Sequence, residues 1–493
     1  MALGQQIRSG VAWLMFGNTG GQALQFLFGI ALARLLVPAD FGMIATIQIL
    51  TGIVSLVSSG GMGQSLIRVK HADVNDFNGV FTIQLGLGSL VCAAIFLIAP
   101  WFARFFGNPI YVDLLAISAL NFLLRPFAIV RSAWLNREMQ FRKAAAANLT
   151  TTAVSGISCI GLAAAGMGVW SLSLGGLIAA LTNNVVLYQL TPLRPKLLLD
   201  AQVARRHGAF GFNITMLDVI AHVRGQSVNL ILSKLAGPAF LGLFNKAESL
   251  ATMPNRMITP ATGQVVYRAL SKVSDDVDQS KYIMYRSITL LSVYVFPFLV
   301  GFLWTAEQLI LLLYGEKWLP AAEPARILAI GGFFLTTLRP CARLLEAQNR
   351  VPQEMLAEAI AGAFGVIACF IGLRWGLAGV ALALLSAHVL HTLLMYAAVC
   401  RAIPTRVTDL FRALAPAAVL SGLLLASLAV LNSQIVHLRT SSPSIYLAAM
   451  IAVGGLVYAL AFLFLPLRAL TSEAARWRNA ASSAVARLRR RRK

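Results

Sequence analysis

The stretch LARLLVPADFGMIATI, residues 32–47, decides the fold, because its pattern returns later in the chain as LSKLAGPAFLGLFNKAESL at 232–250. In the alignment of the two stretches Pro38 matches Pro238 and Gly42 matches Gly242, and each pair is 200 residues apart. Proline fixes φ at a helix start and glycine permits close approach, so each copy predicts a turn between two helices.

Two further pairs of segments follow in the same order. LRPFA at 124–128 aligns with LRPCA at 338–342, and GVWSLSL at 168–174 aligns with GVALALL at 379–385. Matches in sequential order predict two homologous halves of six helices each. An even number of membrane crossings gives both halves the same orientation, so we expect a pseudo-twofold axis along the membrane normal with a cavity between the halves.

The composition is that of a membrane protein. Of the 493 residues, 58% are hydrophobic and only 12% are charged, whereas soluble domains have roughly 25% charged residues. Apolar runs of about 20 residues recur along the whole length. We therefore predict an all-α polytopic membrane protein with about 14 transmembrane helices, the second of them over 41–66. The expected parts are two six-helix lobes at 1–206 and 207–402, two extra transmembrane helices in 403–466 and a basic cytoplasmic tail at 467–493.

The net charge of +22 follows from where the basic residues lie. Lys and Arg are concentrated in alternate connections between the apolar runs and in the tail, which ends LRRRRK. The positive-inside rule then predicts that both termini are cytoplasmic. No compact polar region is present that would form a nucleic-acid-binding domain.

The two copies of the turn motif resemble the polysaccharide transporter (Wzx-type) family of the MOP flippase superfamily, which also contains the multidrug and toxin extrusion transporters and the lipid II flippase. The resemblance covers roughly 1–400. It implies two lobes that open alternately around a central cationic cavity in the bacterial inner membrane. The implied activity is translocation, without catalysis, of undecaprenyl-pyrophosphate-linked O-antigen, capsule or exopolysaccharide units to the periplasm. The implied partners are this glycan, membrane lipids and other polysaccharide-assembly proteins, and no cofactor or metal is expected.

Polar side chains in apolar helices are costly unless they face a cavity or a partner. Gln22 and Gln25 lie on one face of the first helix, and Gln48 begins a stripe on the second helix that continues through Thr51 and Ser55. Such stripes either form hydrogen bonds between helices or make a wet wall that binds sugar hydroxyls. Both readings stay open from the residues alone.

Charged side chains within the predicted helices are the other candidates for a substrate cavity. Arginine forks and a lysine point charge suit the oxygens of a pyrophosphate. Internal salt bridging is the alternative, for example between Arg343 and Glu346 on one helix. The candidate residues are Arg224, Lys246, Arg125, His222, Asp218, Glu248, Arg256 and Arg339.

Three other functions compete with glycan translocation. A cation-coupled multidrug exporter of the same superfamily usually needs a carboxylate inside the membrane in the first lobe. The aspartates of that lobe lie at helix ends, namely Asp40, Asp73, Asp76 and Asp113. Asp218 and Glu248 in the second lobe leave cation coupling possible. A lipid II flippase would share the fold. A membrane-embedded polysaccharide polymerase would need larger external loops than the sequence provides.

Overall fold

The computed structural model describes residues 3–69, 73–479 and 482. About half of the predicted tail at 467–493, including LRRRRK, therefore lies outside the described residues. Within them all regular structure is helical. The earlier helices are α1 (Leu3–Leu35), α2 (Pro38–Ser59), α3 (Met62–Arg68), α4 (Val74–Phe106), α5 (Ile110–Arg137), α6 (Phe141–Ala164), α7 (Val169–Leu190) and α8 (Ala201–Leu235). The later helices are α9 (Pro238–Lys272), α10 (Val277–Tyr314), α11 (Ala322–Ala347), α12 (Val351–Gly372), α13 (Gly376–Ala402), α14 (Val407–Ile435), α15 (Leu438–Ser441) and α16 (Pro443–Phe464).

The prediction of an all-α polytopic membrane protein is confirmed. Ten helical stretches in the described part of the chain are long and apolar enough to cross a membrane. They contain every long helix except α1, α8 and α9. Helices α8 and α9 are less apolar because they bear the charged candidate residues between Asp218 and Arg256.

The prediction of one continuous helix over 41–66 is wrong in one detail. The helix breaks at Gly60 and Gly61, whose φ angles of 53° and 59° are left-handed, and α3 begins afterwards. The N–H of Gly60 donates to the carbonyls of Leu56 (3.1 Å) and Val57 (3.2 Å), which closes the end of α2. Left-handed backbone suits glycine, and consecutive glycines therefore end a helix even inside an apolar run.

Two compact units make up the chain, Met1–Leu243 and Phe244–Lys493. In the first unit α8 packs against α2, α3 and α4, and the hydroxyl oxygens of Thr46 and Ser233 are 2.5 Å apart where α2 meets α8. The predicted lobes, 1–206 and 207–402, remain a prediction. The two compact units are defined by contacts within the structure, whereas the lobes are defined by a repeated sequence pattern, so the units do not test the lobes.

The repeated turn motifs meet each other within the first unit. A Cβ atom added to Gly42 would lie 1.7 Å from the carbonyl oxygen of Pro238, and one added to Gly242 would lie 1.9 Å from that of Pro38. The backbones of the two copies thus touch reciprocally, which only glycine permits at this distance. A twofold axis between the copies would produce this reciprocity, so the contact is consistent with the predicted repeat.

In the second unit, the helices beyond the repeat are anchored to α10. Thr289 of α10 donates its hydroxyl to the carbonyl of Ala413 in α14 (2.8 Å), and Tyr458 of α16 donates to the carbonyl of Val293 (2.6 Å). At one end of α10, Lys281 pairs with Asp409 at 2.8 Å. These bonds make α14 and α16 part of the second unit.

Candidate functional site

A polar cleft of about 290 Å³ opens between α2, α5 and α7 of the first unit. Apolar side chains form part of its wall, including Ile44, Ile47, Phe122 and Leu172. The rest of the lining is polar, which is unusual for helices that are otherwise apolar along their length. The polar lining residues are Gln48, Thr51, Ser55, Ser118, Asn121, Arg125 and Ser173.

Helical spacing explains why these residues converge. On α2, Gln48, Thr51 and Ser55 are separated by three and four positions and share one face. The same spacing places Ser118, Asn121 and Arg125 on one face of α5. The predicted stripe on the second helix is therefore a wall of this cleft, together with a matching stripe on α5 that sequence reasoning missed.

Arg125 supplies the positive charge of the cleft. Its guanidinium is half-buried and donates a hydrogen bond through Nη1 to the hydroxyl oxygen of Ser55. Next to it along α5, the carbonyl of Leu124 accepts a hydrogen bond from the side-chain amide of Asn184 in α7 (3.1 Å). Because Asn184 also donates to the carbonyl of Ala180 (2.9 Å), it ties α7 to α5 and fixes the backbone that bears Arg125.

The hydroxyl groups of the cleft have oxygen atoms with capacity to accept further hydrogen bonds. Thr51 donates to the carbonyl of Ile47 (3.0 Å) and Ser118 donates to the carbonyl of Leu114 (2.9 Å), so each uses its one proton and keeps lone pairs. The buried hydroxyl of Ser173 has no hydrogen-bond partner among the described residues. The cleft can therefore bind a ligand that has both hydroxyl groups and negative charge.

His222 packs against the same helix, α2. A Cβ atom on Gly52 would lie 2.2 Å from the imidazole Cε1 of His222, so this glycine makes room for the ring. Gly52 is next to Thr51 in the chain. The buried Nε2 of His222 has no hydrogen-bond partner in the described part of the protein. Of the predicted site residues, the structure thus brings Arg125 and Gln48 into one cleft and places His222 on a helix that lines it.

The remaining candidates of the first unit lie elsewhere. Asp218 and Arg224 are exposed on α8, and Gln22 and Gln25 are exposed on α1. None of these four is among the residues that line the cleft. Their assignment to a substrate site stays a prediction.

In the second unit, Lys246 lies over two aromatic rings. Its ammonium nitrogen is 4.3 Å from the ring centre of Tyr314 and 5.3 Å from that of Trp318, and both rings are buried. Cation–π attraction of this kind stabilises a charge that is removed from water, by about 0.5–2 kcal/mol. Sequence reasoning missed this pair, because Tyr314 and Trp318 are roughly seventy residues from Lys246 in the chain.

Other charged candidates of the second unit differ in their surroundings. Glu248 is half-buried, whereas Arg256 and Arg339 are exposed. Arg343 pairs with Glu346 at 2.6 Å, which confirms the predicted salt bridge between them.

A polar contact in the second unit joins α9 to α11. Asn255, which is 200 residues after Ser55, donates to the carbonyl of Gly332 (3.2 Å) and accepts from the hydroxyl of Thr336 (3.1 Å). Thr336 lies one turn before Arg339, the repeat counterpart of Arg125. These two hydrogen bonds tie α9 to α11 within the second unit.

Comparison with known proteins identifies the family of the chain and solved structures that share its fold. The profile of a family described as polysaccharide biosynthesis protein matches residues 31–323. The lipopolysaccharide biosynthesis protein WzxC of Escherichia coli (strain K12) is 23% identical over 403 residues, which are 80% of this chain and 81% of WzxC. The succinoglycan biosynthesis transport protein ExoT of Rhizobium meliloti (strain 1021) is 25% identical over 343 residues, which are 70% of this chain and 69% of ExoT.

Among solved structures, the lipid II flippase MurJ in an inward closed conformation superposes with a TM-score of 0.72. The superposition covers 91% of this chain and 97% of MurJ, at 17% sequence identity. This superposition shows that the two chains share a fold. It confirms the fold that we expected from the repeated turn motif.

Proposed function

Because the chain belongs to the polysaccharide biosynthesis protein family, we propose that it is a flippase that moves a lipid-linked oligosaccharide across the bacterial inner membrane. The cargo is an O-antigen, capsule or exopolysaccharide unit on undecaprenyl pyrophosphate, and both protein termini are cytoplasmic. The relatives support this proposal, since one is a lipopolysaccharide biosynthesis protein and another a succinoglycan biosynthesis transport protein.

One observation carries the proposal, namely the polar cleft that contains Arg125. A glycan has many hydroxyl groups, and its pyrophosphate linkage has negative charge. The cleft offers hydroxyl and amide groups beside a half-buried guanidinium that already donates to Ser55. Arginine forms charge-assisted hydrogen bonds to phosphate oxygens, which are stronger than neutral ones. We assign Arg125 to the pyrophosphate and Gln48 to sugar hydroxyls.

The carboxylates of the first six long helices support this reading over a multidrug exporter. The Asp40 carboxylate accepts a hydrogen bond from the backbone N–H of Val37 (3.1 Å) at the start of α2. Asp73 accepts one from the N–H of Asp76 (2.9 Å) at the start of α4. Carboxylates at these positions stabilise helix N-termini, and this role accounts for their presence without cation coupling.

Deletion of the gene tests the proposed function. We expect the lipid-linked oligosaccharide to accumulate on the cytoplasmic face of the membrane and polysaccharide export to fall, with both effects reversed by the wild-type gene. Accumulation is measured by mass spectrometry of extracted lipids. Normal export together with a new sensitivity to cationic drugs would instead favour the multidrug exporter, and accumulation of lipid II would favour a peptidoglycan precursor as cargo.

Arg224→Ala tests the prediction from the sequence that a second arginine, outside the cleft lining, also binds the pyrophosphate. Because Arg224 is exposed on α8, we expect the protein to reach the membrane at near-normal abundance while export falls by about tenfold, the loss of one charge-assisted hydrogen bond. Arg224→Lys keeps the charge without the planar fork and should retain part of the activity.

The controls for Arg224 separate function from stability. Abundance is measured by immunoblot of membranes, and export by quantifying the surface polysaccharide. Normal export by Arg224→Ala protein at normal abundance would show that this arginine does not bind the cargo. Disappearance of the protein would show that Arg224 has a structural role.

A further inference from the structure

A second cationic cluster lies in the first unit, away from the cleft, where α5 and α7 approach their C-terminal ends. Two guanidinium groups lie near the aromatic ring of Tyr188. The Cζ atom of Arg194 is 3.8 Å from the ring centre, and the Cζ atom of Arg131 is 5.2 Å from it. We call Arg131, Tyr188 and Arg194 the Tyr188 cluster.

Arg131 is the buried member of the Tyr188 cluster, with 5% of its surface exposed. Its Nη1 makes one long hydrogen bond, of 3.5 Å, to the carbonyl of Phe127. Its buried Nε has no hydrogen-bond partner within the described residues. A buried guanidinium with an unsatisfied donor is costly unless an anion or acceptor completes its hydrogen bonds.

The surroundings of Arg131 add positive charge. Arg194, the other guanidinium on Tyr188, donates to the carbonyls of Thr191 (2.7 Å) and Leu193 (3.2 Å). No carboxylate in the described part of the chain forms an ion pair with either arginine. Contact with Tyr188 holds both cations near one ring but does not neutralise them, and like charges repel each other.

The position of the cluster indicates where an anion would come from. Leu181, Val185 and Tyr188 are spaced by four and three residues along α7, and all three are exposed. An apolar strip on a membrane-spanning helix therefore leads directly to the aromatic ring and the arginines. Tyrosine and arginine side chains are typical of membrane–water interfaces, and the orientation predicted from the basic residues assigns this end of α7 to the cytoplasmic surface.

We propose that the Tyr188 cluster binds the phosphate group of a membrane lipid. The forks of Arg131 and Arg194 donate to the phosphate oxygens, which satisfies the open donor of Arg131 and removes the repulsion between the two cations. The acyl or prenyl chain of the lipid lies along Leu181 and Val185. The Tyr188 cluster is separate from the cleft. Binding of a phospholipid there does not depend on the flippase proposal, whereas binding of the undecaprenyl carrier rests on it.

Lipid binding to the purified full-length protein tests this assignment. Native mass spectrometry measures binding of phosphatidylglycerol and of undecaprenyl diphosphate, with diacylglycerol and undecaprenol as neutral counterparts. We expect the phosphorylated lipids to bind and the neutral ones to bind at least about tenfold more weakly, since each lost charge-assisted contact is worth roughly a factor of ten. Equal binding of neutral and phosphorylated lipids would overturn the proposal.

Two variants localise the binding to the cluster. Arg131→Gln and Arg194→Gln should each weaken lipid binding by about tenfold. Because Arg194 is exposed, we expect Arg194→Gln to leave the fold intact, even if replacement of the buried Arg131 does not. Arg142→Gln is the matched control, because Arg142 is exposed and stacks on a single aromatic ring, Trp13, at 5.4 Å. Unchanged lipid binding by Arg194→Gln would refute the site.

The choice of lipid separates the two sources of phosphate. Loss of both phosphatidylglycerol and undecaprenyl diphosphate binding in the variants identifies a general phospholipid site, and loss of undecaprenyl diphosphate binding alone identifies a carrier-lipid site. Both results support the proposal. If deletion of the gene left export normal, the flippase proposal would fail, whereas phosphatidylglycerol binding to the cluster would still be measurable and decisive.

Discussion

Alanine in place of Gly42 is expected to cause loss of most folded protein. The added Cβ atom would lie 1.7 Å from the carbonyl oxygen of Pro238 and 2.9 Å from its Cα atom. These are backbone atoms, which cannot move aside as a flexible side chain would. Overpacking in well-packed interiors costs about 1–3 kcal/mol, and a clash with backbone at this distance should cost at least the upper value. Because the contact is reciprocal, Gly242→Ala should have a similar effect.

Gly86→Ala is the matched control for these substitutions. Gly86 lies within α4, and a Cβ atom added there would meet no atom within 4 Å. We expect this variant to accumulate and unfold like the wild type. Membrane abundance and the thermal unfolding of purified protein are the measurements. Wild-type stability of both Gly42→Ala and Gly242→Ala would mean that the two turn motifs are not in close backbone contact.

Arg125→Ala is expected to reduce polysaccharide export by about 10–100-fold with little change in the amount of protein. The variant removes the guanidinium of the cleft, and loss of charge-assisted hydrogen bonds to the pyrophosphate costs roughly 1.5–3 kcal/mol. The stability effect should be small, because the described partner of the guanidinium is the Ser55 hydroxyl, which can bind water in an open cleft.

Two further variants identify what Arg125 contributes. Arg125→Lys keeps the charge but not the fork, and it should give intermediate export. Arg104→Ala removes an exposed arginine at the last turn of α4 and serves as the control for net charge. The measurements are surface polysaccharide and the cytoplasmic pool of lipid-linked oligosaccharide. Full export by Arg125→Ala protein would remove the cleft from the substrate pathway.

The polar cleft was only partly predictable from the sequence. Gln48 and Arg125 are recognisable in the sequence, because an amide stripe and a charge are conspicuous in apolar helices. Ser118 and Asn121 share the face of Arg125 at helical spacing, so a signal for them existed. It was weak, because a serine inside an apolar helix commonly bonds to its own backbone, as Ser118 does with Leu114 at 2.9 Å.

Local and distant interactions differ in how far a sequence reveals them. The Arg343–Glu346 pair was predictable, because residues three apart on a helix are neighbours whatever surrounds the helix. The rings of Tyr314 and Trp318 beneath Lys246 were not predictable in the same way. That contact requires knowledge of how α9 and α10 pack and of the short 3-10 helix over Glu316–Ala321 that follows α10.

The sequence by itself determined the class of protein, the order of its long helices and the correspondence between its two turn motifs. Each of these depends on local properties, namely apolar length, charge between apolar runs and the backbone preferences of proline and glycine. Tertiary structure alone decided that α2, α5 and α7 enclose one cleft, that Gly42 touches Pro238, and that Arg131 and Arg194 meet at Tyr188. The physical reason is that the face a helix presents to its neighbours depends on packing over the whole unit, which helical periodicity constrains but does not specify.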